Sequence, residues 1–354
     1  MDNLNNDFLN RLLETRSVPG FEHDASNLFC GYLAGSAVSV ETDSMGNAFI
    51  RNYKPNEKAS VMLEAHIDEI GFQVLYIDAQ GFIYVRRDGG IDLHCLPGTQ
   101  VSIHTQSGEL LSGVIGKKPV HLMEGDTKTR VIDLDNLWID TGLSPEKVKD
   151  LVSVGDAVSY NPNMKMLTDK LITSKALDDK IGVFVIAEAY KRLVNLNDAN
   201  KRICAVASVQ EEIGSRGAVT CAYSVFPDIA ICVDVDFATD VPDCSPKKYG
   251  DVRLGKGVVI QKTPDSNLEL LSKAERVAKD NGIHYQVSAR PNSTGGNDTS
   301  RVQLARGGVK TLGLGIPCRY MHTPVELCDL SDAIAAIDLI VALVNDREVF
   351  NREL

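Results

Sequence analysis

Five short stretches carry side chains able to hold a divalent cation and move a proton. His66 and Asp68 follow the apolar run SVMLEA, and Asp178 and Asp179 follow LITS. Glu211 and Glu212 follow ICAVASVQ, Asp234 follows IAIC, and His322 sits in RYMHTP. Each lies where a strand is expected to end, and open α/β sheets gather ligands outside the carboxyl ends of their strands. In an extended segment positions i and i+2 share a face, so Asp68 can accept the second ring N–H of a cation-bound His66. A solvent-facing strand end is the bland alternative. Adjacent carboxylates at Glu211 and Glu212 repel unless a cation neutralises them. With one bound to a cation, the other can act as general base toward a cation-activated water. Their alternative is a helix N-terminus, where the macrodipole favours Glu. For Asp178-Asp179 the alternative is an N-cap. The functional reading has Asp178 bridging two cations and Asp179 supporting the helix start. His322 alone reads as an ordinary loop histidine.

Together, two His, a shared Asp, a Glu and a further Asp form a carboxylate–imidazole set suited to two ions of Zn²⁺ or Co²⁺. Such a site clamps a nucleophilic water and polarises a scissile carbonyl. The glutamate beside a ligand can pass the water's proton to a leaving amine.

The elements that must position these groups follow strand–helix alternation at both ends of the chain. Leu4, Phe8, Leu12 and Leu13 make a helical stripe before Pro19-Gly20. A second amphipathic stretch holds Ala25, Leu28, Phe29, Tyr32 and Leu33. Residues 38–42 and 48–52 flank a hairpin signal at 44–47, and 60–65 is a short buried strand. From 71 to 160 the texture changes to short strand runs: FQVLYI, FIYVRR, TQVSIHT, LLSGVIG, NLWID and DAVSYN. Only 144–152 reads as helix there, with Ser144 as N-cap and Pro145 at the first helical position. Helices are then expected at 178–194, from the strand at 202–209 through 223, and at 266–281, 298–305 and 331–345. Strands are expected at 228–233, 284–289 and 309–314. This is α/β grammar. It predicts a mixed-sheet α/β/α catalytic unit over 1–70 and 165–354, with a small β-barrel inserted at 71–164.

With 354 residues, the chain can bury a large core without disulfides. Lys+Arg number 37 against 48 Asp+Glu, a net charge of -11 that disfavours nonspecific nucleic-acid binding. No apolar run approaches the roughly 18–20 residues that span a bilayer. The eight cysteines form no CxxC pair, and the start of the chain lacks the pattern of a secretory signal. A reduced, cytoplasmic compartment is expected, with no membrane or nucleic-acid partner.

The chain also resembles the tetrahedral aminopeptidase and glutamyl aminopeptidase family of co-catalytic metallopeptidases. The matching pieces run in family order over nearly the whole chain: Ala65-His66-Ile67-Asp68-Glu69-Ile70-Gly71, Lys175-Ala176-Leu177-Asp178-Asp179-Lys180, Gln210-Glu211-Glu212-Ile213-Gly214, Val233-Asp234, Gly295-Gly296-Asn297-Asp298 and Ile316-Pro317-Cys318-Arg319-Tyr320-Met321-His322-Thr323-Pro324. The resemblance implies that His66 and Asp234 hold one metal, Glu212 and His322 the other, and Asp178 bridges them. It makes Glu211 the general base and Asp68 the residue that orients His66. It implies release of N-terminal residues from peptides by a water held between the metals. It further implies a dimerisation role for the β insert and homo-oligomers from dimer to hollow dodecamer. Lys180 stands where the family usually has Arg, Val258 where Pro is frequent, and Asp236 and Asn297 where Thr is usual. An extra carboxylate at Asp236 is expected to disfavour acidic substrates.

Rival readings exist. A glycosidase needs two carboxyls flanking a sugar rather than a His/Asp/Glu cage, and one Trp is a thin supply for sugar stacking. A two-metal phosphoesterase would fit the ligands but needs a cationic clamp, for which only Arg319 is evident. A noncatalytic assembly protein could keep the shell, but then losses at the base or ligands are expected, and none is seen.

Overall fold

A computed structural model describes residues 6–125, 130–196, 201–290 and 296–350; Leu4 and Gly295 lie outside them. Strands β1 (Ser39–Thr42), β2 (Ala48–Arg51) and β3 (Val61–His66) precede a run of six. These are β4 (Gly71–Ile77), β5 (Ile83–Asp88), β6 (Gln100–His104), β7 (Leu110–Gly116), β8 (Trp138–Asp140) and β9 (Ala157–Tyr160). Then come β10 (Lys165–Met166), β11 (Leu171–Ser174), β12 (Ile203–Ser208) and β13 (Ile229–Phe237). The last are β14 (Val258–Gln261), β15 (Tyr285–Ser288), β16 (Lys310–Arg319) and β17 (Glu326–Asp329).

Each of the six runs expected between 71 and 160 contributes one strand, and β4–β9 close into a barrel in the order β4-β5-β8-β7-β6-β9. Inside it, Tyr160 meets Phe72 edge-on at 5.7 Å. The other eleven strands form one mixed sheet with β3 and β13 near its middle. There β12, β3, β13 and β16 run parallel, while the flanking strands pair antiparallel. The expected mixed α/β fold with a small barrel is therefore what the chain forms.

Side chains alternate between two cores, as the two-residue period of a strand requires. Val61, Leu63 and Ala65 of β3 join the larger core with α1 (Asn6–Glu14), α2 (His23–Leu33) and α4 (Leu177–Asn195). Met62 faces the smaller core with α5 (Arg216–Val225). Between α2 and α4 in sequence lies α3 (Pro145–Leu151), and Ser144 caps it by accepting from the Lys147 N–H. After α5 come α6 (Pro246–Tyr249), α7 (Leu268–Asp280), α8 (Thr299–Val302), α9 (Leu330–Asn345) and α10 (Arg347–Phe350). α4 is buried almost all round because it packs on β3, β13 and α9 at once. No helix among the described residues is long and apolar enough to cross a membrane. All eight cysteines are unpaired.

Several boundaries differ from expectation. β13 runs on to Phe237 and β16 to Arg319, because the two pair with each other over nine residues. α8 is a single turn rather than a helix over 298–305. β14 and β17 are not expected at all. Each is four residues long, and β17 contains Glu326 and Asp329, whose polar side chains hide its strand character.

Candidate metal and catalytic site

His66 closes β3. Its parallel neighbour β13 stops pairing with β3 at the Cys232–Glu64 register and continues beside β16. Asp234 thus lies inside a strand rather than beyond its end, at the level of His66. His66 Nε2 is 3.1 Å from Asp178 Oδ1 and 3.8 Å from Asp234 Oδ1. His322 Nε2 is 3.3 Å from Asp178 Oδ2 and 3.5 Å from Glu212 Oε2. The two oxygens of Asp178 therefore face different histidines. His66, Asp178 and Asp234 offer ligand atoms within 4.8 Å of one another, and so do Asp178, Glu212 and His322. All five candidate ligands converge, with Asp178 common to both groups.

Asp178 and Asp179 have non-helical backbone angles, so α4 becomes regular only after them. This corrects the expected helix start at 178. Asp179 Oδ1 accepts the Gly182 N–H at 3.1 Å and so supports the helix. A Cβ on Gly182 would fall 2.3 Å from the same carboxylate, which explains the glycine.

Asp68 is fully buried and joins two parts of the site. Its carboxylate accepts the N–H of Glu211 at 2.9 Å and of Glu212 at 3.0 Å. The same carboxylate lies 3.5 Å from His66 Nδ1, and the Asp68 carbonyl oxygen 3.1 Å. Glu211 and Glu212 occupy a turn, since α5 begins only at Arg216. That removes the helix-N-terminus alternative for them. Ser215 Oγ donates to Glu211 Oε1 at 3.1 Å. Gln210 and Ser215, which bracket this turn, both adopt positive φ, a conformation that costs a non-glycine residue and clusters at functional sites.

Burial and mutual repulsion act on these carboxylates together. Burial, then Asp178, raises Glu212 well above the usual range and Asp234 to about 6. Burial pushes Glu211 up to about 8 against the pull of His66. Burial alone would keep the histidines neutral, but Asp178 and its fellow carboxylates outweigh it and take His322 to about 10. Asp178 and Asp68 likewise raise His66 against its burial. Carboxylates gathered this closely call for positive charge among them. Glu212 Oε1 is buried without a hydrogen-bond partner. Imidazole nitrogens and carboxylate oxygens in this arrangement fit a divalent metal ion, which would supply both the charge and the missing partner.

Two features escape sequence reasoning. Glu326 accepts the Asp178 N–H through Oε2 and the His322 N–H through Oε1, both at 2.9 Å. No signal marks it, because β17 itself is not legible. The Gly89-Gly90 pair after β5 reaches the site from the barrel. A Cβ on Gly89 would lie 3.1 Å from Glu212 Oε2, and one on Gly90 3.0 Å from His322 Nδ1. Paired glycines after a charged strand end were the available signal. Asp92 further along donates its N–H to the His322 carbonyl at 3.3 Å.

Asp236 does not add an unmatched charge. It is 2% exposed, and Arg290 Nε lies 3.5 Å from its carboxylate. Arg319 donates to Asp240 from Nε at 2.8 Å and from a terminal nitrogen at 2.6 Å. The cation that a phosphate clamp would need is already engaged.

The family model described as M42 glutamyl aminopeptidase matches residues 46–339. The chain is 34% identical to lysyl aminopeptidase of Pyrococcus furiosus, over 96% of each chain. It is similar to the crystal structure of a TET aminopeptidase from Thaumarchaeota archaeon SCGC AB-539-E09, with a TM-score of 0.90, 30% identity and 97% of each chain covered. It is also similar to the TET1 peptidase of Pyrococcus horikoshii, described as able to assemble into a tetrahedron or a large octahedral shell. There the TM-score is 0.84 at 31% identity, covering 96% of this chain and 98% of that one.

Proposed function

Since the chain belongs to the M42 glutamyl aminopeptidase family, we propose that it is a metal-dependent aminopeptidase releasing N-terminal residues from peptides. The observation that carries this reading is Asp178, whose two oxygens face two separate His–carboxylate groups. In this reading His66 and Asp234 hold one divalent ion, Glu212 and His322 the other, and Asp178 both. Such ions, when bound, polarise the scissile carbonyl and acidify water.

The chain's own residues supply the rest. Glu211 Oε takes a proton from the attacking water and returns it to the leaving amine nitrogen. The Ser215 hydroxyl holds that carboxylate in place. Asp68 keeps the His66 Nδ1 proton, leaving Nε2 toward Asp178, and fixes the turn that presents Glu211 and Glu212. We read residues 1–70 and 165–354 as the catalytic unit and 71–164 as an inserted dimerisation unit. The assembly described for the Pyrococcus horikoshii relative supports a homo-oligomer, which we read as lying between dimer and dodecamer. Unpaired cysteines are in keeping with a cytoplasmic setting.

A mixed peptide pool with Zn²⁺ or Co²⁺, beside the same pool N-acetylated, tests the reading. Amino-acid release from the free pool alone is expected. No release from either pool, with metal bound, would move weight to a phosphoesterase or a noncatalytic shell.

A further inference from the structure

Three buried charges near the site have no part in the chemistry above. Glu69, Lys175 and Lys180 are each at most 1% exposed. Glu69 Oε2 accepts from Lys175 Nζ at 2.6 Å, and Oε1 from Lys180 Nζ at 3.1 Å and from the Ser17 N–H at 2.9 Å. Both ammonium groups also donate to the Thr15 carbonyl oxygen. The Glu69 N–H returns to the Ser17 carbonyl at 3.0 Å. Lys175 donates its own N–H to Asn163 Oδ1 at 2.7 Å, and Asn163 Nδ2 donates to the Pro324 carbonyl at 2.8 Å.

These contacts join the segments that present three of the five candidate ligands, His66, Asp178 and His322. Glu69 directly follows Asp68 and lies three residues past His66. Lys175 and Lys180 bracket Asp178. Pro324 lies two residues past His322. Between Lys175 and Asp178, Ala176 adopts φ 55°, a left-handed conformation that its surroundings must impose. Burying three charges is costly, and apolar packing would stabilise such a place as well or better. Directional hydrogen bonds, by contrast, fix spacing in a way that apolar contacts do not.

We propose that Glu69, Lys175 and Lys180 are positioning residues that set the distance between His66 and Asp178, and so the affinity of the cation they share. This rests on the two-cation reading. Lys180→Met removes the charge at nearly constant volume, and Lys180→Arg keeps it. Zn²⁺ affinity is measured by chelator competition, and kcat and KM on a peptide. Lys180→Met is expected to lose about 10–100-fold in affinity for one of its two ions. Its kcat should fall by about tenfold or more, with KM within about twofold, and Lys180→Arg should recover part of both. Wild-type affinity and kcat in a folded Lys180→Met would overturn the proposal. Should that variant fail to fold, Asn163→Ala at the exposed margin decides. A several-fold loss of Zn²⁺ affinity supports the proposal, and an unchanged affinity overturns it. A wild-type chain that binds Zn²⁺ but releases no amino acid would instead fail the aminopeptidase reading, and the affinity comparison would still stand.

Discussion

One oxygen of Glu326 holds the backbone N–H of Asp178 and the other holds that of His322. Glu326→Gln turns one of those acceptors into a donor facing an N–H. Removal of such an outer partner costs about 10–100-fold in metal affinity or activity. Glu326→Gln is accordingly expected to weaken Zn²⁺ binding by that factor while Glu211 and Glu212 stay in place, as equilibrium dialysis would show. Asp236 leads to a different expectation. Its carboxylate answers Arg290, so Asp236→Thr leaves a guanidinium without its counter-charge beside the Asp234 strand. Peptides starting with Glu or Asp should then gain about tenfold in kcat/KM relative to Leu-initiated ones, the effect of roughly 1.4 kcal/mol. Equal rates in variant and wild type would count against it. The candidate ligands themselves were legible because carboxylates and histidines at apolar strand ends are conspicuous. Glu326 was not, because a carboxylate that serves only backbone N–H groups has no sequence pattern of its own.

Elements were legible where one period dominated. The barrel runs are short and separated by turn signals such as DAQG and TQSGE, and each forms a strand. β13 and β16 were read too short, because Asp234, Asp236 and Pro317 interrupt apolar runs that pairing between the two strands nevertheless carries through. The start of α4 differs from expectation since Asp178 and Asp179 look like helix caps but serve as the turn before it. The buried link between the connection after β3 and the turn before α4 also has a measurable pH signature. Burial opposes the Glu69 carboxylate, but Lys175 and Lys180 outweigh it and hold its pKa at about 2. A carboxylate depressed in the folded state contributes its full stability above its ordinary pKa of 4.5, and loses it as pH falls toward 2. Urea unfolding should show wild type and Glu69→Gln far apart at pH 6, with the gap narrowing below about pH 4.5 and closing only near pH 2. A gap independent of pH would contradict the assignment.

On the scale of the whole molecule, the large sheet and the barrel meet at the site. The sheet brings His66, Asp234 and the Glu211-Glu212 turn to one level, and the barrel contributes the Gly89-Gly90 connection over His322 and Glu212. The insert therefore shapes the candidate site. In the proposed mechanism five residues hold two cations, and Glu211 holds none and moves the proton. Counting bound Zn²⁺ in wild type and Glu211→Gln, with turnover measured on the same samples, tests this directly. Two ions per chain are predicted in both proteins, with turnover in the variant lower by about 100-fold or more. A wild type that binds fewer than two ions, or a Glu211→Gln that turns over at the wild-type rate, would contradict it.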